Sequence, residues 1–438
     1  MTDTRAAAAI VDYARSLDCI HCGLCLNTCP TYQLTGSEAS SPRGRVHLMR
    51  AVAEAELDAD AAFAEEMDFC LVCRHCESVC PAGVQFGTMM EFTRDALART
   101  RPQGMLERFG RWLGFKVILP QRAALRLSVS LLGFAQRSGL LRLGAPLFGQ
   151  RGRALLSFPA VPKRSERHPL PARRDALGTR HEAAALLEGC VMPEVLGRVN
   201  RATAEVLGAC GVECHSAPEH VCCGALHAHN GELDGARELA RGTIAAFERL
   251  PAEGPGPLPV VVNSAGCGAH MKEYGRLLGD DPEWSERARA FSARVVDLAE
   301  YLADPVRLER LTDQLDDAVS STGVLTYDDP CHLCHGQGVR AQPRQLLDAI
   351  AGTERVELEG AESCCGSAGV YSILRPVDSR EMLAPKLEAL RRSGARTLVT
   401  ANPGCQLQWQ AGVQASEMDV EVLHLAEVLA ARLRKSPG

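Results

Sequence analysis

Several features are scarce in this chain, and each scarcity removes a class of protein. Aromatic residues make up only 5% of it, so any large core must be mostly aliphatic. No uncharged apolar run approaches the ~18 residues of a membrane-spanning helix. The opening stretch, MTDTRAAAAIVDYARSLDC, carries acids and shows neither a long apolar region nor a processing site, which gives the expectation of a cytoplasmic chain. Net charge is −6, too mild for a nucleic-acid partner, and no helix-turn-helix is evident. No Gly-x-Gly-x-x-Gly follows a strand pattern and there is no P-loop, so no flavin site is legible. Between Arg108 and Ser165 acidic residues are missing altogether.

Cysteine, by contrast, is abundant: 19 in 438 residues, a length for about three domains. In a reducing compartment, cysteines in tight clusters point to metal rather than to disulfides. Cys19, Cys22, Cys25 and Cys29 precede Pro30, and Cys70, Cys73, Cys76 and Cys80 precede Pro81 with identical spacing. Cys-x2-Cys-x2-Cys-x3-Cys-Pro is the bacterial ferredoxin spacing. Three thiolates on a tight loop reach three corners of a cubane, and the fourth reaches the neighbouring cluster. The expected sets are Cys19, Cys22, Cys25 and Cys80 for one [4Fe–4S] cluster, and Cys70, Cys73, Cys76 and Cys29 for the other. Structural zinc has no use for the third Cys and the Cys-Pro.

About 40 residues separate the motifs, with Val46, Met49, Ala53 and Leu57 at helical spacing and Phe63 and Met67 opening a second short helix. Residues 1–100 therefore read as a helix-expanded ferredoxin domain. Its Arg43 and Arg45 are either screens for anionic clusters, partner contacts or plain surface residues. Residues 101–180 read as a basic amphipathic segment and linker. The acid-free part carries eleven Lys or Arg among Trp112, Phe115, Leu125, Leu131, Phe134 and Leu140. Such a stretch suits an anionic membrane surface, an acidic partner subunit or the chain's own core.

The remainder repeats itself. Cys190 is followed 32 residues later by Cys222-Cys223-Gly224, and Cys331 is followed 33 residues later by Cys364-Cys365-Gly366. Gly266-Cys267 and Gly404-Cys405 come downstream, at offsets of 141, 142 and 138 residues between copies. Ala183 to Leu187, Val260 to Val262, Val324 to Tyr327 and Leu398 to Thr400 read as buried strands. Helices around Val199 to Leu207 and Leu346 to Ile350 stop before Gly211 and Gly352. The expected fold class is α/β plus a small α-helical ferredoxin domain, with two duplicated Cys-Cys-Gly domains, 181–315 and 316–438, on mostly parallel sheets. Cysteines at carboxyl ends of strands sit where open α/β sheets bind ligands. Cys190, Cys222, Cys223 and Cys267, then Cys331, Cys364, Cys365 and Cys405, are candidate ligands for one or two further iron–sulfur clusters. The alternative is a copy that keeps its cysteines as small buried hydrophobes. Cys210, Cys214 and Cys334 are left over. His220, His227, His229, His332 and His335 crowd the same loops as ligand or relay candidates.

Beyond the cysteines, His21-Cys22-Gly23, Cys29-Pro-Thr-Tyr-Gln33, Pro42-Arg-Gly-Arg45, Glu188-Gly-Cys190, Gly266-Cys-Gly-Ala269, Lys272-Glu-Tyr-Gly275, Cys364-Cys-Gly-Ser-Ala-Gly369 and Thr400-Ala-Asn402 stand out. On these the chain resembles the iron–sulfur subunit of glycolate oxidase (glycolate dehydrogenase) over nearly its whole length. Heterodisulfide reductases, a lactate-utilisation protein and a subunit of anaerobic glycerol-3-phosphate dehydrogenase share the Cys-Cys-Gly repeat more loosely. The broad pattern ends in Cys-x2-Cys, whereas here the last positions are His270 and Gln408. The resemblance implies an electron relay without a catalytic residue of its own. Partner subunits carrying flavin (FAD) oxidise glycolate to glyoxylate, and a quinone-type acceptor takes the electrons, with peripheral contact at the inner membrane face as one arrangement. The same relay for D-lactate or glycerol 3-phosphate, or a thiol/disulfide enzyme, are the rival readings.

Overall fold

The computed structural model describes residues 10–217, 219, 221–253, 256–316 and 323–434, so His220 lies outside the described residues. The N-terminal region is helical, with Pro42–Ala53, Ala61–Phe69 and Phe86–Thr100 as its main elements. Ser41 and Asp60 cap the first two by accepting from Gly44 N–H (3.0 Å) and Phe63 N–H (2.9 Å). Their apolar faces meet in a core of Val46, Met49, Phe63, Met67, Met89 and Met90. Leu57 does not extend the first helix. Ala55 takes a φ of 59°, the chain turns, and Leu57 is left 48% exposed.

The middle segment is a chain of short helices. Met105–Arg111 runs on into a π-helical stretch, Trp112–Ile118, and Arg122–Arg137 follows at a bend of 115°. Phe115, Leu125 and Val129 face inward, but Met105, Leu106 and Leu147 are at least 85% exposed, and Phe109, Trp112, Leu131, Phe134 and Leu143 are exposed too. Among the described residues no single helix is long and apolar enough to cross a membrane.

Among the described residues eleven strands follow: β1 (Arg173–Arg174), β2 (Glu182–Leu187), β3 (Val212–Ser216), β4 (Ala252–Glu253), β5 (Gly256–Pro257), β6 (Val260–Val262), β7 (Val295–Asp297), β8 (Val324–Tyr327), β9 (Glu354–Glu357), β10 (Thr397–Thr400) and β11 (Glu421–His424). They form sheets of order β1-β3-β2-β6-β7 and β11-β10-β8-β9, with β4 and β5 as a separate ribbon. Every pairing in the two large sheets is parallel except that of β1 with β3. The mostly parallel α/β duplication is therefore present. Central strands such as Val260–Val262 and Thr397–Thr400 are buried throughout, as parallel strands covered on both faces must be. β1 escapes sequence reading because two arginines in a Pro-rich stretch have no period.

The two copies share one core. Leu186, Val206, Leu207 and Val261 of the first pack in the same cluster as Leu325, Tyr327, Val399 and Leu425 of the second. Across this joint His424 donates from Nε2 to Asn263 O (2.9 Å), while its Nδ1 accepts from Ala426 N–H (3.1 Å).

Candidate iron–sulfur centres

In the N-terminal loops the backbone is wound tightly around each motif. His21 and Gly23 flank Cys22, and Val72 and Arg74 flank Cys73, all four with positive φ. For a β-branched valine this conformation is rare and costs roughly 1–3 kcal/mol. Cys29 is the N-cap of Pro30–Thr35, where proline's fixed φ suits the first helical position. It lies in a cavity lined by Cys29, Cys70, Cys73 and Cys76 together with Val72 and Arg45. The fourth cysteine of the first motif thus joins the second loop. Cys25 feels Cys19 and Cys29, Cys22 is exposed, and Cys80 borders the core half-buried. The two arginines have separate tasks. Arg45 is fully buried beside the cavity and donates to Thr31 Oγ1 (3.0 Å) and Glu66 O (2.7 Å). Arg43 ties Glu38 (2.7 Å) to the carbonyl of His21 (3.2 Å).

Each sheet ends in a second kind of site. Cys190 and Cys331 follow β2 and β8, and Cys267 and Cys405 sit in the first turns of Ala265–Lys272 and Pro403–Ala415, after β6 and β10. The adjacent cysteines precede Gly224 and Gly366, with φ of +85° and +82°. A Cβ at Gly366 would meet Ser379 O at 2.5 Å, and one at Gly224 would meet Ala236 O at 3.1 Å, so glycine is what lets the helix backbone close on each turn. Four thiols converge at each site. Cys190 interacts with Cys222 and Cys267, and Cys223 with Cys267. Cys364 interacts with Cys331 and Cys365, and Cys365 with Cys405.

These donor sets fit iron–sulfur clusters. All nineteen cysteines are free thiols, and most of the clustered ones are buried. Burial, then the neighbouring sulfur of Cys331, pushes the Cys73 thiol well up, and burial likewise raises Cys76. In the second site the S–H groups of Cys364 and Cys405 donate to Cys365 and hold it well below the usual range. In the first, the S–H of Cys223 donates to Cys267 and lowers it. Buried sulfurs sharing protons in this way form an arrangement that a metal cluster replaces, because thiolate ligation releases those protons.

The positions of the missing fifth cysteines differ in environment. His270 is buried, with Nε2 3.5 Å from where a Cβ on Gly224 would lie, and burial lowers its pKa to about 4. Gln408 donates to Ser379 Oγ (2.9 Å). The other histidines serve joints between segments. His332 Nε2–H donates to Val72 O (2.9 Å), His227 Nε2–H to Phe115 O (2.7 Å), and His229 meets Glu91 (2.7 Å). His75, His335 and Glu362 bring ligand atoms within 4.8 Å of one another. Arg340, however, donates to both His335 Nδ1 (3.0 Å) and Glu362 Oε2 (2.7 Å), which sets a guanidinium charge against a cation at this point. Cys210 and Cys214 are core residues, and Cys334 points back at Cys331 O.

The sites adjoin different neighbours. Phe69, Leu71, Cys364, Tyr371 and Met382 form one apolar cluster with Cys73 and Cys331 against it, and Tyr371 Oη–H donates to Phe69 O (3.3 Å). Cys190 and Cys222 instead pack with Leu125, Val129 and Val161 of the basic segment. Asn402 links the two Cys-Cys-Gly sites, accepting from Gly266 N–H (3.3 Å) and donating to Cys405 Sγ (3.3 Å). Sequence reading quoted Asn402 only within a motif and missed Lys386 and Asp328, which stand beside Cys365. Lys386 had one signal: a lysine on the apolar stripe of Met382, Leu383, Ala389 and Leu390.

A helical dicluster loop pair joined to two copies of an α/β Cys-Cys-Gly unit defines an iron–sulfur electron-transfer protein. Residues 15–84 match the 4Fe-4S dicluster domain family, and residues 184–272 and 325–410 each match the cysteine-rich domain family. The first match gives the N-terminal region two [4Fe–4S] clusters. The chain is 39% identical over 431 residues to a probable glycolate oxidase iron–sulfur subunit of Bacillus subtilis, covering 96% of this chain and 94% of that one. It is 33% identical over 417 residues to the glycolate oxidase iron–sulfur subunit of Escherichia coli, covering 95% and 94%. A lactate utilization protein A of Exiguobacterium is 29% identical over 245 residues, 56% of this chain and 96% of that one. The chain belongs to the glycolate oxidase iron–sulfur subunit family.

Proposed function

We propose that this chain is the electron relay of a glycolate-oxidising complex, in which a partner subunit carrying FAD performs the substrate chemistry and a quinone-type acceptor receives the electrons. When bound, the clusters supply one-electron transfer, which a flavin handling electron pairs needs downstream. Cys19, Cys22, Cys25 and Cys80, and Cys70, Cys73, Cys76 and Cys29, would hold the two [4Fe–4S] clusters. Cys190, Cys222, Cys223 and Cys267, and Cys331, Cys364, Cys365 and Cys405, would hold further ones. The domains would span 1–100, 101–180, 181–315 and 316–438. The observation that carries the reading is the adjacency of Cys73 to Cys331, which makes the thiol groups a series rather than isolated sites. The exposed loop at Cys22 is the natural approach for the partner's flavin.

A peripheral contact with the inner face of the cytoplasmic membrane completes the proposal. Its support is the exposure of Phe109, Trp112, Leu131, Phe134 and Leu143 within the acid-free stretch, a pattern suited to an anionic bilayer. The test is electron paramagnetic resonance on the complex purified anaerobically. Glycolate alone should produce the reduced [4Fe–4S] signals that dithionite produces. If only dithionite does so, the substrate is another 2-hydroxy acid or glycerol 3-phosphate. If neither does, the relay reading fails.

A further inference from the structure

The helix Pro376–Ser393 carries Lys386 into the interior beside the Cys364-Cys365 turn. Its three N–H groups are matched by three carbonyls: Gly360 O (2.8 Å), Ala361 O (2.9 Å) and Ser363 O (2.8 Å). The buried carboxylate of Asp328 lies 2.8 Å from Nζ. Burial alone would strip the proton from such a lysine. Here three carbonyls and a carboxylate all face Nζ, an acceptor set that suits the three N–H donors of an ammonium.

The first copy supplies the control. Ala236 and Ser379 each place their carbonyl against the glycine of the Cys-Cys-Gly turn. Seven residues further along each helix stand Thr243 and Lys386. Thr243 does the same mechanical task with one neutral bond, from Oγ1 to Cys222 O (3.1 Å). Three residues before the first cysteine, Leu187 stands where Asp328 does. The fold therefore closes the turn without any charge, and a buried ion pair is poor value as a stabiliser. What the second copy gains is a fixed positive charge in a dry site, next to the ligand sulfurs. Net charge and hydrogen bonding around the sulfurs are what set an iron–sulfur potential.

We propose that Lys386 sets the reduction potential of the Cys331, Cys364, Cys365 and Cys405 site, holding it above that of its sister site so that it accepts electrons arriving beside Cys73. Asp328 acts in the opposite sense and limits the effect. The inference rests on the reading of these four cysteines as cluster ligands.

The test is a redox titration followed by electron paramagnetic resonance, on the full chain purified anaerobically. It compares the wild type with Cys364→Ser, Lys386→Met and Asp328→Asn. The signal lost in Cys364→Ser should titrate at lower potential in Lys386→Met and at higher potential in Asp328→Asn, while the signals that survive Cys364→Ser stay in place. If that signal exists but neither variant moves it, the role of Lys386 is overturned and the ligand reading stands. If Cys364→Ser removes no signal, both fall. Should Lys386→Met fail to fold, Asp328→Asn decides alone, because it keeps the ammonium and its three carbonyl acceptors; an unmoved midpoint there overturns the proposal.

Discussion

The two Cys-Cys-Gly copies present four cysteines at corresponding places after their strands, yet the polar groups around the sulfurs differ. The first is lined by neutral groups, with Thr243 on Cys222 O and Tyr274 on Cys223 O, and it backs onto the basic amphipathic segment. The second encloses a buried ammonium and carboxylate and backs onto the dicluster loops. Duplication preserved the placement of the thiols and released the surroundings. Two sites of one ancestry can then hold electrons with different strengths, which a directional relay needs.

The largest effects should come from removing ligands one copy at a time. Cys222→Ser and Cys364→Ser are each expected to abolish electron delivery through the complex and to lower iron content by one cluster. If only one of them lowers the iron content, the copies differ in loading as well as in tuning. Next is the buried pair. Lys386→Met should cost about 3–5 kcal/mol because it strands Asp328, whereas Lys386→Met with Asp328→Leu, which removes the stranded carboxylate, should recover much of that loss. Denaturant midpoints of the two proteins would decide it, and equal losses would refute the idea that the fold is indifferent to the charge.

The joint between the copies gives a pH-dependent effect of roughly 3 kcal/mol. Burial lowers the His424 pKa from 6.5 to about 4. The unfolded chain therefore takes up this proton first as pH falls. Stability from this group is full above pH 6.5 and is lost progressively toward pH 4. His424→Asn keeps a capping acceptor for Ala426 N–H and should flatten the acid limb of a stability–pH curve. The smallest contrast is between the turn glycines. Alanine at either costs about 1–2 kcal/mol for the left-handed backbone. Gly366→Ala should exceed Gly224→Ala by about 1–3 kcal/mol, because its Cβ overlaps a backbone oxygen that cannot swing aside. Equal midpoints would mean that the helix at Ser379 gives way.

Much of this architecture is legible in the sequence because it is local. Cys-x2-Cys-x2-Cys-x3-Cys-Pro, the Val-Val-Val run of β6 and the positive-φ glycines each declare themselves within a few residues. What is hidden is long-range. Arg45 and Arg43 sit two apart in one motif, but only the packing of Glu66 and His21 separates a buried cation from a surface strut. Nothing near Lys386 announces that its partner is Asp328, on a loop leaving another strand. The fall of Cys73 against Cys331 depends on how whole segments dock, which no periodicity encodes.

The left-handed valine at position 72 has a consequence for how the protein is made. Its carbonyl accepts from His332 of the second copy. A strained loop beside the cluster cysteines therefore forms part of the docking surface for the second copy. The expected order of maturation is cluster insertion first and closure of the N-terminal region onto the sheets second. Chains made under iron starvation should accordingly lose residues 10–100 to protease while the duplicated sheets resist. An apo chain that resists along its whole length would show that closure needs no metal.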